Sequence, residues 1–307
     1  MNTDREPAVY LSGIAVELGR RVPIAELDDP SVAAELENLH AGGLRHCRVA
    51  GQDVVELAAA GARRTLAAAG LTAVDAVVHA TDSPYRETAT KDGWAVLAGA
   101  GVPTAPTVVV GGSASANLAA ALRVATGLLT AERLDTVLLV SADRVTGAGR
   151  YQPVGVTVLS DGAAACVVGA RPYGPAYRVL GVSTAIKADA VEVSNSLKAA
   201  QLVKLGVTEA RERLLRTLPE PDRGFRHLIT GNYSLATRTF LARLCGTDPA
   251  AVHTPAVAEL GHSYSADLLH GLESLRERGL VEEGERVLVL ATSPRSWSMI
   301  ALEYAGG

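Results

Sequence analysis

TVVVGGSASANLAAALRVA (Thr107–Ala125) joins a strand to a helix through two glycines and two serines. The valines run without interruption into Gly111-Gly112, and an Ala- and Leu-rich helix begins near Ser115. Continuous apolar strands suit a sheet covered on both faces rather than one washed by solvent. The pattern repeats outward along the chain. An amphipathic helix, a short polar connector and an apolar strand ending in small or hydroxyl residues recur four times. The helices are Leu57–Ala69, Leu118–Leu129, Thr208–Leu218 and Ala266–Arg278, and the strands after them are Ala76–Thr81, Thr136–Asp143, His227–Asn232 and Arg286–Ser293. Such alternation predicts an α/β fold with mostly buried sheets. Two units precede residue 170 and two follow residue 200, the pattern of an internal duplication. LSDGAAACVVG (Leu159–Gly169) reads as strand–turn–strand, and the Pro- and Gly-bearing RPYGPAY after it places a boundary near residue 172.

Composition narrows the function. In 307 residues, 48% hydrophobic and 20% charged, there is ample core and no sign of disorder. A net charge of −4 leaves no basic footprint for nucleic acid. Cys47, Cys166 and Cys245 follow neither metal-ligand nor disulfide spacing, so no metal is expected, and buried thiols in a reducing cytoplasm account for them. Met1–Pro7 lacks an apolar run of the secretory kind, and no apolar run is long enough to span a membrane. The least regular segments, 144–156 and 185–200, are candidates for loops over a site.

Two places carry chemistry. Ser113 and Ser115 stand at a helix N-terminus, where unpaired N–H groups and the helix dipole favour negative charge. Ordinary N-capping would also explain a serine there. In ELGHSYSADLLHGLESL (Glu259–Leu275), His262 precedes a helix and Asp267 follows five residues on, again a pattern that capping alone accounts for.

Together these segments resemble the ketoacyl-synthase III family. That family places a nucleophilic cysteine before a helix reading A-L-x-x-A; here Ser115 precedes Ala121-Leu122-Arg123-Val124-Ala125. Its G-D-G-A-G-A turn is similar to Ser160–Ala165, its G-N-T-S-A-A-S segment to Gly261–Asp267, and its closing G-G-G-x-T-W-G to Thr292–Ser298. The early stretch TLAAAGLTAVDAVVHATDSP also fits. The resemblance implies a thiolase-like fold of two pseudo-duplicated halves in α-β-α-β-α layers. Residues 1–172 would carry the nucleophile and 173–307 the His and Asp.

Departures from the family pattern point to the chemistry. The family's P-H-Q-A-N segment, which supplies a catalytic His, corresponds to Thr230-Gly231-Asn232-Tyr233-Ser234, without an imidazole. Losing a preorganised donor of this kind costs about 10²–10³ in rate, which argues against decarboxylative condensation. The family's Asn position is His262. A cysteine of pKa about 8.5 needs only a modest push. A serine is far less acidic, and a helix terminus contributes only about 0.3–1 kcal/mol. Ser115 therefore needs a base, His262, and the base needs an orienting carboxylate, Asp267. A nucleophile–His–Asp subset of the family is found in antibiotic biosynthesis.

The resemblance implies an acyltransferase that takes its acyl group from acyl-CoA or an acyl carrier protein, through acyl-Ser115, to a hydroxyl or amine. No other cofactor is expected. The oxyanion hole would be the N–H groups of Ser115 and Ser293, with Asn232 a possible accessory. A cytoplasmic homodimer meeting at Thr107–Val110 is implied as well, and cavity loops are expected at Pro84–Lys91, Arg144–Val154 and Ser194–Gln201. Three readings compete: a starter-unit ketosynthase acting on malonyl carrier protein, a degenerate partner subunit, and an α/β-hydrolase using Ser113 in a near-match to G-x-S-x-G.

Overall fold

The computed structural model describes residues 8–83, 85–147, 149–153, 156–190, 196–254 and 256–307. Met1–Pro7 and parts of the three expected cavity loops (residues 84, 148, 154 and 194–195) lie outside the described residues. Ten strands form one mixed sheet. Its spatial order is Val252–His253, His227–Ile229, Arg286–Thr292, Ser296–Tyr304, Ala176–Ile186, Tyr10–Leu18, Gly162–Gly169, Thr136–Asp143, Ala76–Ala80 and Thr107–Val110. From the central antiparallel pair Tyr10–Leu18 and Ala176–Ile186, each direction reads two antiparallel partnerships and then two parallel ones. Thr107–Val110 is an edge strand.

Because strands carry apolar residues on both faces, the core divides into layers. On Thr136–Asp143, Leu139 faces a cluster with Leu118 and Leu122 of the Asn117–Ala131 helix and Leu268 and Leu272 of the Ala266–Glu277 helix. Its neighbour Leu138 faces Leu57 of the Val54–Ala69 helix and Val96 of the Ala89–Ala100 helix. On the other half, Leu228 and Leu288 pack against Val207 and Leu241 of the Ser196–Leu215 and Leu235–Cys245 helices. The sheet folds around the Asn117–Ala131 and Ala266–Glu277 helices, which touch Leu139 on one half and Val287 and Ile300 on the other, so its two halves are the β layers of an α-β-α-β-α stack. Each side chain on these central strands leaves water on folding, worth about 1.5–3 kcal/mol for a fully buried Leu or Val.

Three expectations change in detail. The helix expected at Thr208–Leu218 spans Ser196–Leu215. Its mid-helix Gly206 argues for a break, yet the glycine is there to admit the Trp297 ring, which a Cβ would meet at 2.0 Å. Leu159–Gly169 forms one strand from Gly162, while Leu159 makes a parallel bridge to His262. The helix expected near Ser115 opens with a one-turn 3-10 segment, Ala114–Ala116, before the α-helix begins at Asn117.

Candidate active site

The turn that carries Ser115 is held from below. A Cβ at Gly111 would come within 2.9 Å of the Thr81 carbonyl oxygen, and Gly112 has φ +86. The Gly112 N–H and the Asn117 Nδ2 both donate to Asp82 Oδ1, at 2.9 and 3.0 Å. Asn117 Oδ1 accepts from the Ser113 N–H at 2.9 Å. Ala114, immediately before Ser115, adopts φ +46, a left-handed conformation that an alanine holds only when its surroundings fix it. Behind Asp82 lies the buried Asp143, which accepts from the Asp82 N–H at 2.7 Å and from the Ser83 N–H at 3.2 Å. Burial and the nearby Asp82 charge push the Asp143 carboxyl up to about 7 against those hydrogen bonds.

His262 arrives from the other half of the chain. Its N–H donates to the Val158 carbonyl and its own carbonyl accepts from the Ser160 N–H, both at 2.8 Å. Gly261, with φ +59, makes this possible, since a Cβ there would meet Ser160 Oγ and the Val158 oxygen at 2.6 Å. The ring is flanked by Tyr233, with centroids 4.8 Å apart, and Tyr264, at 5.9 Å.

The three predicted side chains come together. Ser115 Oγ lies 2.8 Å from His262 Nε2, and His262 Nδ1 lies 2.6 Å from Asp267 Oδ2. Asp267 sits in the first turn of the Ala266–Glu277 helix. It also accepts from the N–H groups of Asn232 and Ser263, each at 2.9 Å, and from Asn232 Nδ2 at 3.1 Å. A carboxylate so placed assigns the proton of the imidazole to Nδ1 and leaves the Nε2 lone pair facing the serine. Ser265 ties the halves together, donating to the Ser115 carbonyl at 3.0 Å and accepting from the Leu118 N–H at 3.3 Å.

Other predicted residues are placed differently. The Asn232 amide is spent on Asp267, so it braces the carboxylate and is not aimed into the cavity. The Ser293 N–H closes the hairpin between the last two strands by donating to the Ser296 carbonyl at 2.8 Å. The expected second oxyanion donor is therefore already engaged. For the Ser115 N–H, no acceptor is found among the described residues. Ser113 has its N–H on Asn117 and makes no contact with an imidazole among the described residues, which leaves a hydrolase elbow without its base. Sequence reasoning passed over Tyr233, Tyr264 and Thr292, whose aromatic or hydroxyl character carries no motif of its own; all three line the cavity.

That cavity has a volume of about 430 Å3 and opens above Ser115 and His262. Val203, Phe240, Leu241 and Trp297 form its apolar wall, and neither Lys, Arg, Asp nor Glu lines it among the described residues. The cysteines take no part. All three are buried, and burial pushes Cys47 up to about 11 and Cys166 and Cys245 up to about 12. No metal-ligating cluster occurs among the described residues, and no helix there is long and apolar enough to cross a membrane.

Comparison with known proteins agrees with this architecture. The family model of 3-oxoacyl-(acyl-carrier-protein) synthase III matches residues 112–189, which include the Ser115 turn. No curated protein matches the chain. The solved 3-oxoacyl-(acyl carrier protein) synthase III of Pseudomonas aeruginosa superposes with a TM-score of 0.79 at 22% identity, covering 97% of this chain and 98% of its own. The acyltransferase ChlB3 gives 0.82 at 17% identity, with 98% of each chain covered. A variant of OleA from Xanthomonas campestris gives 0.77 at 19% identity, covering 97% and 99%. The chain is built on the thiolase-superfamily fold of the ketoacyl-synthase III-like proteins, and the part matching the model of that family carries the Ser115 turn.

Proposed function

We propose that this protein is an acyltransferase that carries its acyl group as an ester of Ser115. The observation that supports this most is the continuous hydrogen-bonded line from Ser115 Oγ through His262 to Asp267, ending at an uncharged cavity. In the first half-reaction Nε2 of His262 takes the Ser115 proton as Oγ attacks the carbonyl carbon of a thioester. The tetrahedral intermediate collapses, the C–S bond breaks, and the sulfur leaves as a thiol with the proton from Nε2. In the second, an acceptor O–H or N–H attacks the ester and gives its proton to Nε2. The bond to Oγ then breaks and Oγ recovers the proton. Asp267 stays put, holding the tautomer and balancing the imidazolium.

The donor is a pantetheine thioester, acyl-CoA or acyl carrier protein, and the cavity wall favours acyl groups without a carboxylate: among the described residues no cation lines it to pair with one. Intact-mass measurement after incubation with a panel of acyl-CoA thioesters tests the reading. One acyl adduct is expected, mapping to Ser115, absent from Ser115→Ala and formed about 10²–10⁴ times more slowly in His262→Ala. Adduct on another residue, or none with any donor, overturns it. Release of CO₂ from malonyl carrier protein by the acylated protein would instead make it a starter-unit ketosynthase.

A further inference from the structure

An acyl-serine route needs two donors at the oxygen that becomes negative; the Ser115 N–H, without an acceptor among the described residues, can supply one, and the Ser293 N–H expected as the other is engaged. Among the uncharged donors that line the cavity, the Tyr233 phenol is the one packed against the ring of His262 from the side of Gly231. Tyr233 is 4% exposed, lines the cavity together with Ser115, and its ring lies against that of His262, with centroids 4.8 Å apart. The phenol oxygen lies 2.9 Å from Thr292 Oγ1, which can donate to it, and its own proton makes only a long bond, 3.4 Å, to the Thr292 carbonyl, a bond it can exchange for a stronger one to the reacting group.

The backbone around Tyr233 is fixed on every side. Its carbonyl accepts from Arg238 Nε at 2.9 Å, the preceding Asn232 carbonyl accepts from Thr157 Oγ1 at 2.6 Å, and the next residue, Ser234, donates its N–H to the Val156 carbonyl at 3.2 Å. Gly231 makes room for the ring. A Cβ there would stand 2.8 Å from both the Tyr233 hydroxyl oxygen and His262 Cε1. The absence of a side chain at 231 and the presence of a phenol two residues later are therefore one arrangement. The polar tip fills the space beside His262 that any larger residue at 231 would occupy.

We infer that Tyr233 is a catalytic residue whose O–H, backed by Thr292, serves as the second oxyanion donor for the acyl-Ser115 reaction in place of the Ser293 N–H. Before attack the phenol stands beside His262 in the cavity that Ser115 also lines. As Oγ bonds to the acyl carbon, the carbonyl oxygen arrives one bond further on, and the phenol donates to it while charge develops. No proton leaves Tyr233 in either half-reaction. Burial pushes its phenol up to about 12, so it remains a donor across the working pH range.

This inference rests on the acyl-Ser115 reading, and the experiment separates the two. Single-turnover acylation of Ser115 is followed by quenched-flow mass measurement with a donor that acylates the wild-type protein. Tyr233→Phe keeps the ring and is expected to slow acylation about 10²-fold at saturating donor, with half-saturating donor concentration changed by no more than about threefold. Thr292→Val is expected to fall between the two. A fluorinated tyrosine at position 233, whose phenol is more acidic, is expected to bring an alkaline loss of acylation into a pH range where the wild type shows none, a response that packing alone does not produce. If wild type forms the Ser115 adduct and His262→Ala slows it, yet Tyr233→Phe acylates within about threefold of wild type, the Tyr233 role is overturned and the acyl-serine reading stands. If no donor acylates wild type, both fall together.

Discussion

A serine hydroxyl, an imidazole and a carboxylate do little apart, and their use here depends on which atoms carry protons. Asp267 accepts from three other donors besides His262, so its orientation does not depend on the histidine. Asp267→Asn places an amide where the Nδ1–H now donates, and the favoured tautomer becomes the one with its proton on Nε2, facing Ser115. Acylation is expected to fall by about 10³–10⁴-fold, as for the wrong tautomer in a serine-protease triad. Near-wild-type acylation by a folded Asn variant would remove Asp267 from the mechanism. The positions of these three residues were legible before the structure because they replaced a coherent set: a serine where a cysteine is expected, a histidine where an asparagine is expected, and an acid following. Tyr233 was not legible. Nothing in Thr230–Ser234 shows that the ring turns back beside His262, because that depends on the empty space above Gly231.

At the level of elements, strands that read as unbroken Val, Leu and Ile runs were evident, whereas the central antiparallel ones were not. Tyr10–Leu18, Ala176–Ile186 and Ser296–Tyr304 mix Ser, Gly, Arg and Glu among their apolar residues. Their polar residues are paired across strands, as when Arg178 Nη2 meets Glu303 Oε1 at 2.7 Å, and local sequence does not reveal a partner 125 positions away. The Ser196–Leu215 helix begins earlier than expected and runs through Gly206, a residue that disfavours a helix locally and serves packing globally. Two effects oppose at that glycine. Alanine improves helix propensity by about 1 kcal/mol. A Cβ there would stand 2.0 Å from a carbon of the fully buried Trp297 ring, and overpacking of that sort costs about 1–3 kcal/mol. The clash wins because neither the helix nor the ring has slack. Gly206→Ala is therefore expected to lower the denaturation midpoint despite its better propensity, and to shift Trp fluorescence. A raised midpoint would show that the ring moves freely.

The whole molecule carries two buried titrating groups whose effects on stability oppose each other. His79, on the strand Ala76–Ala80 next to the sheet edge, is 2% exposed, and neither ring nitrogen has a partner among the described residues. Burial pushes it down to about 4, so the native state keeps it neutral while the unfolded chain binds a proton near pH 6.5. Between those values the unfolded state holds more protons and stability rises with pH; the contribution of neutral His79 is complete above about pH 6.5 and is lost as pH falls towards 4, amounting to roughly 3 kcal/mol. Asp143 works in the other direction. With its carboxyl raised to about 7, the native state holds more protons than the unfolded chain between about pH 4 and 7, and stability falls as pH rises through that window. The two slopes oppose each other over most of the acid range, and His253, also pushed down to about 4 by burial, adds to the first, so a single pH–stability curve does not isolate His79. His79→Leu removes one of them. Urea denaturation of wild type and His79→Leu from pH 4 to 8 is therefore expected to show the variant gaining stability relative to wild type steadily as pH drops below 6.5, with a constant difference above it. A difference independent of pH would mean that the unfolded chain and the native core protonate His79 alike.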